Sequence, residues 1–400
     1  MFKYLVIPLV IVILLGGYVS FGGDLPLHGH DGSRGNTSTV YYTNVTPASN
    51  LFSFELYSEL SKNRGNVLIS PYSIFTVLAM IYEGSRGQTA SAMREVLHLD
   101  NPDSQGFLRL LEQLQGKMDI ANAVWVQRGF RVKRGYVSTI ERHYEGEFKE
   151  LDFKGNPQGA ARIINNWTAE RTKGMIRRIV GHLSQNTRLI ITDAVYLNAT
   201  WVHKFNPSNT RNASFLLPSG GAVEVPMMNQ EGTFDYMETK TFKAIELPYT
   251  NGLAMLIILP RRVDGPWDLN LTPRLLKDVM KGLKPETVYV SLPKFTLYES
   301  YDLKGPLTDM GMGIAFSSAA NLSGIGRNLF VSDVSHRAFI RVTEYGTEAA
   351  AATAATIALT CVPSAVKRFN ADHPFLFMIL DKDTGTIIFI GSLVYPGHGT

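Results

Sequence analysis

The chain has a single cysteine, Cys361, among its 400 residues. No internal disulfide can form, so the fold must be held by its core, and an odd thiol in a chain with an export-like start has to be located. Also absent are G-x-S-x-G, H-E-x-x-H, the P-loop pattern, G-x-G-x-x-G and paired C-x-x-C, and the nine histidines are scattered. Those absences argue against an enzyme, and no metal or cofactor is expected. His28 and His30 in "HGHD" fall in a Gly/Ser-rich stretch and read as solvated linker rather than a metal site. There is no long Lys/Arg run and no internal repeat, and net charge is only +4, which does not suggest a nucleic-acid partner. Two short basic clusters leave weak polyanion binding open: Arg128, Arg131, Lys133 and Arg134, then Arg171, Lys173, Arg177 and Arg178.

What is present is a globular composition, 45% hydrophobic and 18% charged, long enough for a large core. The start, "MFKYLVIPLVIVILLGGYVSFGG", has the pattern of a secretory signal, Lys3 followed by the apolar run Leu5–Leu15. Its apolar character persists to Phe21, so residues 1–23 read as a signal peptide or a membrane anchor, and the protein as exported, either secreted or tethered. Residues 24–45, rich in Gly, Ser and Thr, read as a flexible linker, and 46–397 as one folded domain.

Within that domain Phe52, Leu56 and Leu60 share a helical face. "NVLISPYSIF" reads as a strand at Val67–Ile69, then a helix with Ser70 as N-cap and Pro71 at its first position. A further helix comes next with Thr89 as its cap, and "AARIINNWTAERTKGMI" (160–176) is helical. "LIITDAVYLNATW" (189–201) is nearly all apolar, as for a strand buried on both faces. Strands then dominate from Ala222 onward, with Pro293 marking an edge or bulge within "VYVSLPKFTLYESY" (288–301). Helices lead and strands come after, which predicts an α+β fold with large sheets.

"EYGTEAAAATAATIALT" (344–360) fits neither pattern. Alanine favours helix, yet the run lies between the strand "AFIRV" and Val362-Pro363. Thr347, Ala349, Ala351, Thr353, Ala355 and Ile357 would share one face of a strand, and none carries charge. A stretch this long between strands is a candidate functional loop.

Several motifs, in order, resemble one family. "NVLISPYSI", "INNWTAERTKGMI", "DAVYLNATW", "LPKF", "YDLKGPLTDMG", "ANLSGI", "FNADHPFLFMILD" and "IIFIGSLVYP" are each similar to serpin signatures, covering nearly all of 46–397. The resemblance implies the serpin fold, three β-sheets with eight or nine helices and an exposed reactive loop. It further implies a monomeric suicide-substrate inhibitor whose cut loop inserts into the main sheet and traps a serine protease as its acyl-enzyme, in a covalent complex. The alternative is a non-inhibitory serpin with a carrier or chaperone role. By the same resemblance the hinge is Glu344, Gly346, Thr347, Glu348, Ala349, Ala350, Ala351, Ala352 and Thr353, and the scissile bond is Thr360–Cys361, suiting an elastase-like protease. A shift of one residue would cut Leu359–Thr360 and suit a chymotrypsin-like one. Ser70, Ser73, Asp193, Trp201, Lys294 and His336 are the residues implied to control sheet opening, Lys294 pairing with Glu344. Asp193 replaces the family's usual Asn, so the family's Asn–His hydrogen bond becomes an Asp193–His336 contact: either a tolerated isostere or an ion pair that makes opening sensitive to pH.

Overall fold

Residues 38–99, 104–347 and 366–397 are described by a computed structural model. The Glu348–Thr353 part of the hinge, the bond region Leu359–Cys361, the N-terminal 1–23 segment and His28 and His30 lie outside the described residues. From the N-terminal side come α1 (Ser38–Leu60), β1 (Val67–Ile69), α2 (Pro71–Gly84), α3 (Gly87–Val96), α4 (Ser104–Leu114), β2 (Asp119–Gln127), α5 (Arg134–His143), β3 (Glu147–Leu151) and α6 (Pro157–Arg171). Next are β4 (Leu189–Tyr196), β5 (Ala199–Thr200), β6 (Arg211–Leu216), β7 (Ala222–Glu238), β8 (Phe242–Pro248), β9 (Leu253–Pro260), α7 (Pro273–Gly282), β10 (Lys284–Pro293) and β11 (Phe295–Asp302). The chain closes with α8 (Lys304–Leu307), β12 (Val331–Thr343), β13 (Gly346–Thr347), β14 (Lys367–Asn370), β15 (Phe375–Asp381) and β16 (Ile387–Leu393).

The main sheet has seven strands. β3, β2, β4 and β12 lie side by side, and β11 pairs antiparallel with the far edge of β12. The edge of β12 that faces β4 has two partners. From Val331 to Phe339 it pairs in parallel with Leu189–Tyr196, and at Val342–Thr343 it turns back into β13. β13 in turn pairs antiparallel with β5. A second sheet of nine strands runs β1-β16-β15-β9-β8-β7-β10-β14, with β6 on β7. The expected second and third sheets are thus one surface, because the long β7 pairs with β8 at one end and with β6 and β10 along the rest.

Two layers of core arise from the alternation of side chains across the main sheet. Residues such as Leu189, Ile191 and Val195 of β4, and Val334, Ala338 and Ile340 of β12, pack toward α2 and the second sheet. Ile190, Ala194 and Tyr196 point the other way, against α6 and the segment after it. There Trp125 of β2 meets Trp167 of α6 edge-on, ring centres 5.2 Å apart. β4 is buried along its whole length, as its sequence implies.

Several local expectations are corrected. α1 begins at Ser38, so the last residues assigned to the linker are helical. Val45, Ala48 and Phe52 of that helix are buried, and it runs on through an interior proline, Pro47. Ser70 does occupy the N-cap position of α2, but its side chain makes no capping bond; its hydroxyl donates to the Ile388 carbonyl of β16, 2.7 Å away. Thr89 lies inside α3, buried, and accepts from the Asn321 backbone N–H. Pro293 marks no edge or bulge: it ends β10 in the second sheet, and the chain crosses at Lys294 into β11 of the main sheet. A proline, lacking an N–H, suits a point where one ladder stops.

Candidate functional site

The boundary between β4 and β12 is a closed slot running down the middle of the main sheet. Its two ends differ.

At the upper mouth Gly346–Thr347 is already part of the sheet. Gly346 and Thr347 lie between two strands, Thr347 opposite Val342 on one side and Ala199 on the other. Thr347 is fully buried and shares a 2.6 Å hydroxyl–hydroxyl hydrogen bond with Tyr249. Burial pushes the Tyr249 phenol far above its ordinary pKa, partly offset by that bond to Thr347, so it stays protonated. Gly346 has φ +148°, and a Cβ there would lie 2.1 Å from the Ala199 carbonyl oxygen. Only glycine allows both the backbone angle and the approach.

The turn that feeds β13 is pinned from both flanks. The Trp201 indole N–H donates to the Thr343 carbonyl at 3.0 Å, and its backbone N–H to that of Tyr345 at 3.0 Å. Trp201 stacks on Tyr249, ring centres 4.2 Å apart. Glu344 is 5% exposed; Lys294 Nζ lies 3.0 Å from its carboxylate, and Thr210 donates to it at 2.8 Å. Burial alone would raise the Glu344 pKa, but a backbone hydrogen bond at Glu344 itself, Lys294 and Thr210 together hold it below the ordinary carboxylate value.

Halfway down, a buried polar group crosses the slot. Asp193 of β4 stands opposite His336 of β12, and both are fully buried. One Asp193 oxygen accepts from the Ser73 hydroxyl of α2 at 2.6 Å, the other lies 3.2 Å from His336 Nδ1. The Ser70 backbone N–H donates to His336 Nε2 at 3.3 Å, so Nε2 is an acceptor and carries no proton. His336 is therefore neutral and donates through Nδ1–H. The contact is thus a hydrogen bond from a neutral imidazole to a carboxylate, the isosteric reading of the Asp–His pair. Asn122 of β2 completes the cluster, its amide donating to the Ser73 carbonyl at 3.2 Å.

The geometry gathers nine of the predicted residues into two groups. Glu344, Gly346, Thr347, Trp201 and Lys294 make the mouth; Ser70, Ser73, Asp193 and His336 make the middle. Tyr249, Thr210 and Asn122 were not anticipated. Asn122 carried a signal, as the polar exception in the strand "ANAVWVQ"; Tyr249 and Thr210 carried none.

These features meet in a family whose model, Serpin (serine protease inhibitor), matches residues 47–396. The chain is a serpin. It is 46% identical over 374 residues to an uncharacterized serpin-like protein of Thermococcus kodakarensis, covering 89% of this chain and 86% of that one. A leukocyte elastase inhibitor of Xenopus laevis is 34% identical over 377 residues, covering 88% of this serpin and all of the relative. Among solved structures, human thyroxine-binding globulin complexed with its hormone superposes with a TM-score of 0.82 at 26% identity, over 89% of this serpin and 100% of that chain. With eight α-helices among the described residues and its mixed sheets, the serpin has the α+β architecture the motifs imply.

Proposed function

We propose that this serpin is a monomeric suicide-substrate inhibitor of serine proteases and is exported. One observation carries the reading: Gly346–Thr347 already occupies a strand position between β5 and β12, antiparallel to both. The start of an inserted strand is in place, and the alanines and threonines that come after Glu348 in the chain are small and uncharged.

Each further residue of the loop would pair one residue lower on β12. Starting from Val342↔Thr347, that progression sets Thr353 opposite His336. The same progression from Thr347↔Ala199 sets Thr353 opposite Asp193. Thr353 would thus enter between the two residues that now close the slot. Its hydroxyl can accept from His336 Nδ1–H and donate to Asp193, so the polar groups separated by insertion are not left unpaired. Ala358 would reach Val331, the lower end of β12.

Insertion would break one parallel ladder and form two antiparallel ones, which are the more stable kind. A net gain of about ten hydrogen bonds at roughly 0.5–1.5 kcal/mol each is on the order of 10 kcal/mol. The native state is then kinetically trapped, and cleavage releases it. Thr360–Cys361 is the bond proposed for attack, in line with the resemblance to a leukocyte elastase inhibitor; Leu359–Thr360 is the alternative register. The serpin itself turns nothing over: the protease supplies the nucleophile and stays bound as its ester.

Mixing the protein with elastase-like and chymotrypsin-like proteases should give a denaturant-resistant complex, and the mass of the released C-terminal peptide identifies the bond. Cleaved loop together with fully active protease would instead indicate a non-inhibitory carrier or chaperone.

A further inference from the structure

The two basic clusters of the sequence have different fates. Arg171 is paired with Glu147, and Lys173 with Asp119. Arg131, Lys133 and Arg134 are exposed and form no ion pair among the described residues. They lie on the connection from β2 into α5, and the fold brings a fourth unpaired cation, Arg327, beside them. Arg131, Lys133 and Arg327 border an open cavity of about 730 Å³, lined by Gly129, Arg131 and Lys133 on one side and Ser323, Gly326 and Arg327 on the other. Its wall is braced by Arg188, which lies over the Phe330 ring at 4.9 Å and donates to the Asn328 carbonyl at 2.5 Å. The residues that line the cavity include no acid.

We propose that this cavity binds a multiply charged phosphate- or sulfate-bearing anion, and that the bound anion holds the slot closed. Unpaired cations around a concave, glycine-lined surface attract such groups through charge and accessible backbone. The clamping role rests on loop insertion and on where the two walls are attached. Arg131 and Lys133 come after β2, which lies on the β4 side of the slot; Arg327 precedes β12, on the other side. Arg188 leads directly into β4 and Phe330 into β12. In the closed sheet the walls touch, since the Lys133 backbone N–H donates to the Ile325 carbonyl at 2.8 Å. An inserted strand needs about 4.8 Å between its neighbours. Spreading the sheet by that much would draw the two sets of cations apart. A ligand that bridges them prefers the closed form, and by linkage it must oppose opening.

The test has two readouts on the full chain. First, calorimetric titration with a short inorganic polyphosphate, and in a parallel arm with a heparin-derived octasaccharide, distinguishes phosphate from sulfate as the source. Binding should weaken steeply with salt. The triple variant Arg131→Ala/Lys133→Ala/Arg327→Ala should lose at least about tenfold in affinity, and the control Arg177→Ala/Arg178→Ala should not. An unchanged triple variant, or equal losses in both, overturns the site. Second, a synthetic peptide of residues 347–358 should anneal into the slot more slowly with polyanion present, and this slowing should vanish in the triple variant. Binding without slowing overturns the clamp. Failure of every protease to form a complex would sink the inhibitory reading but leave the titration standing. If no polyanion binds but the triple variant shortens the life of the protease complex, the cations serve an acidic protein face and the proposal fails.

Discussion

The mouth of the slot and its middle solve opposite problems. At the mouth the sheet is open to a strand, and Gly346–Thr347 fills it; Thr347 and Glu344 are buried there, and only the Lys294 partner of Glu344 is partly exposed. In the middle the sheet is shut, and a fully buried carboxylate reaches from β4 to a neutral histidine on β12. An uncompensated buried charge is costly unless hydrogen-bonded, so the closed middle is maintained by bonds that any opening must replace. The difference suggests a division of labour. Under the proposed insertion, the mouth would set whether the chain after Gly346 starts out docked, and the middle would set the barrier to the rest.

The largest effect should come from forcing the wrong side chain into the mouth. Thr347→Arg would place a guanidinium where Thr347 is fully buried against Tyr249. Covalent complex should fall below detection while loop cleavage continues, scored by the ratio of the two products on a denaturing gel; an unchanged ratio would refute insertion through this path.

Next are two changes at the middle that should differ in size. Asp193→Ala leaves His336 Nδ1–H without its acceptor and the Ser73 hydroxyl with only Asn122 Oδ1, 3.0 Å away, and should cost about 2–3 kcal/mol in urea unfolding. Asp193→Asn keeps an acceptor for His336 and removes the buried charge, so it should be within about 1 kcal/mol of the wild type. Equal losses in the two variants would mean that charge, not hydrogen bonding, closes the slot.

Tyr249→Phe removes the hydroxyl bonded to Thr347 and keeps most of the ring stacked on Trp201. It should cost about 1 kcal/mol and increase hydrogen exchange at Gly346 and Thr347 while leaving β4 protected. Protection lost equally along β4 would erase the proposed separation of mouth from middle.

The smallest effect concerns Lys294→Ala. Lys294 is 37% exposed, so its pair with Glu344 contributes well under about 1 kcal/mol. Because folding holds the Glu344 carboxyl below its ordinary pKa, the contribution is complete at neutral pH and is lost as pH falls through the carboxylate range. The difference in melting temperature between wild type and variant should therefore shrink on acidification; a constant difference would assign the effect to packing.

Much of this could be read from the chain. The buried run at 189–196 and the strands from Ala222 onward come from apolar patterning, and the hinge residues from the resemblance. The joining of two sheets through β7 and the crossing at Pro293–Lys294 could not, because both depend on which ladder a strand joins, and a strand's own pattern does not name its partner. Ser70 shows the same limit: its sequence context is that of a cap, and only the proximity of β16 diverts its hydroxyl.

What the sequence determined alone was composition and order: a run of small residues behind a glycine, its alternate positions free of charge, with one cysteine after it. What the tertiary structure decided was company. It set Asp193 against a neutral His336, Tyr249 against Thr347, and Arg327 beside cations nearly two hundred residues earlier. Protonation, burial and the sharing of a ligand depend on distances in space, and those arise only when strands remote in the chain become neighbours.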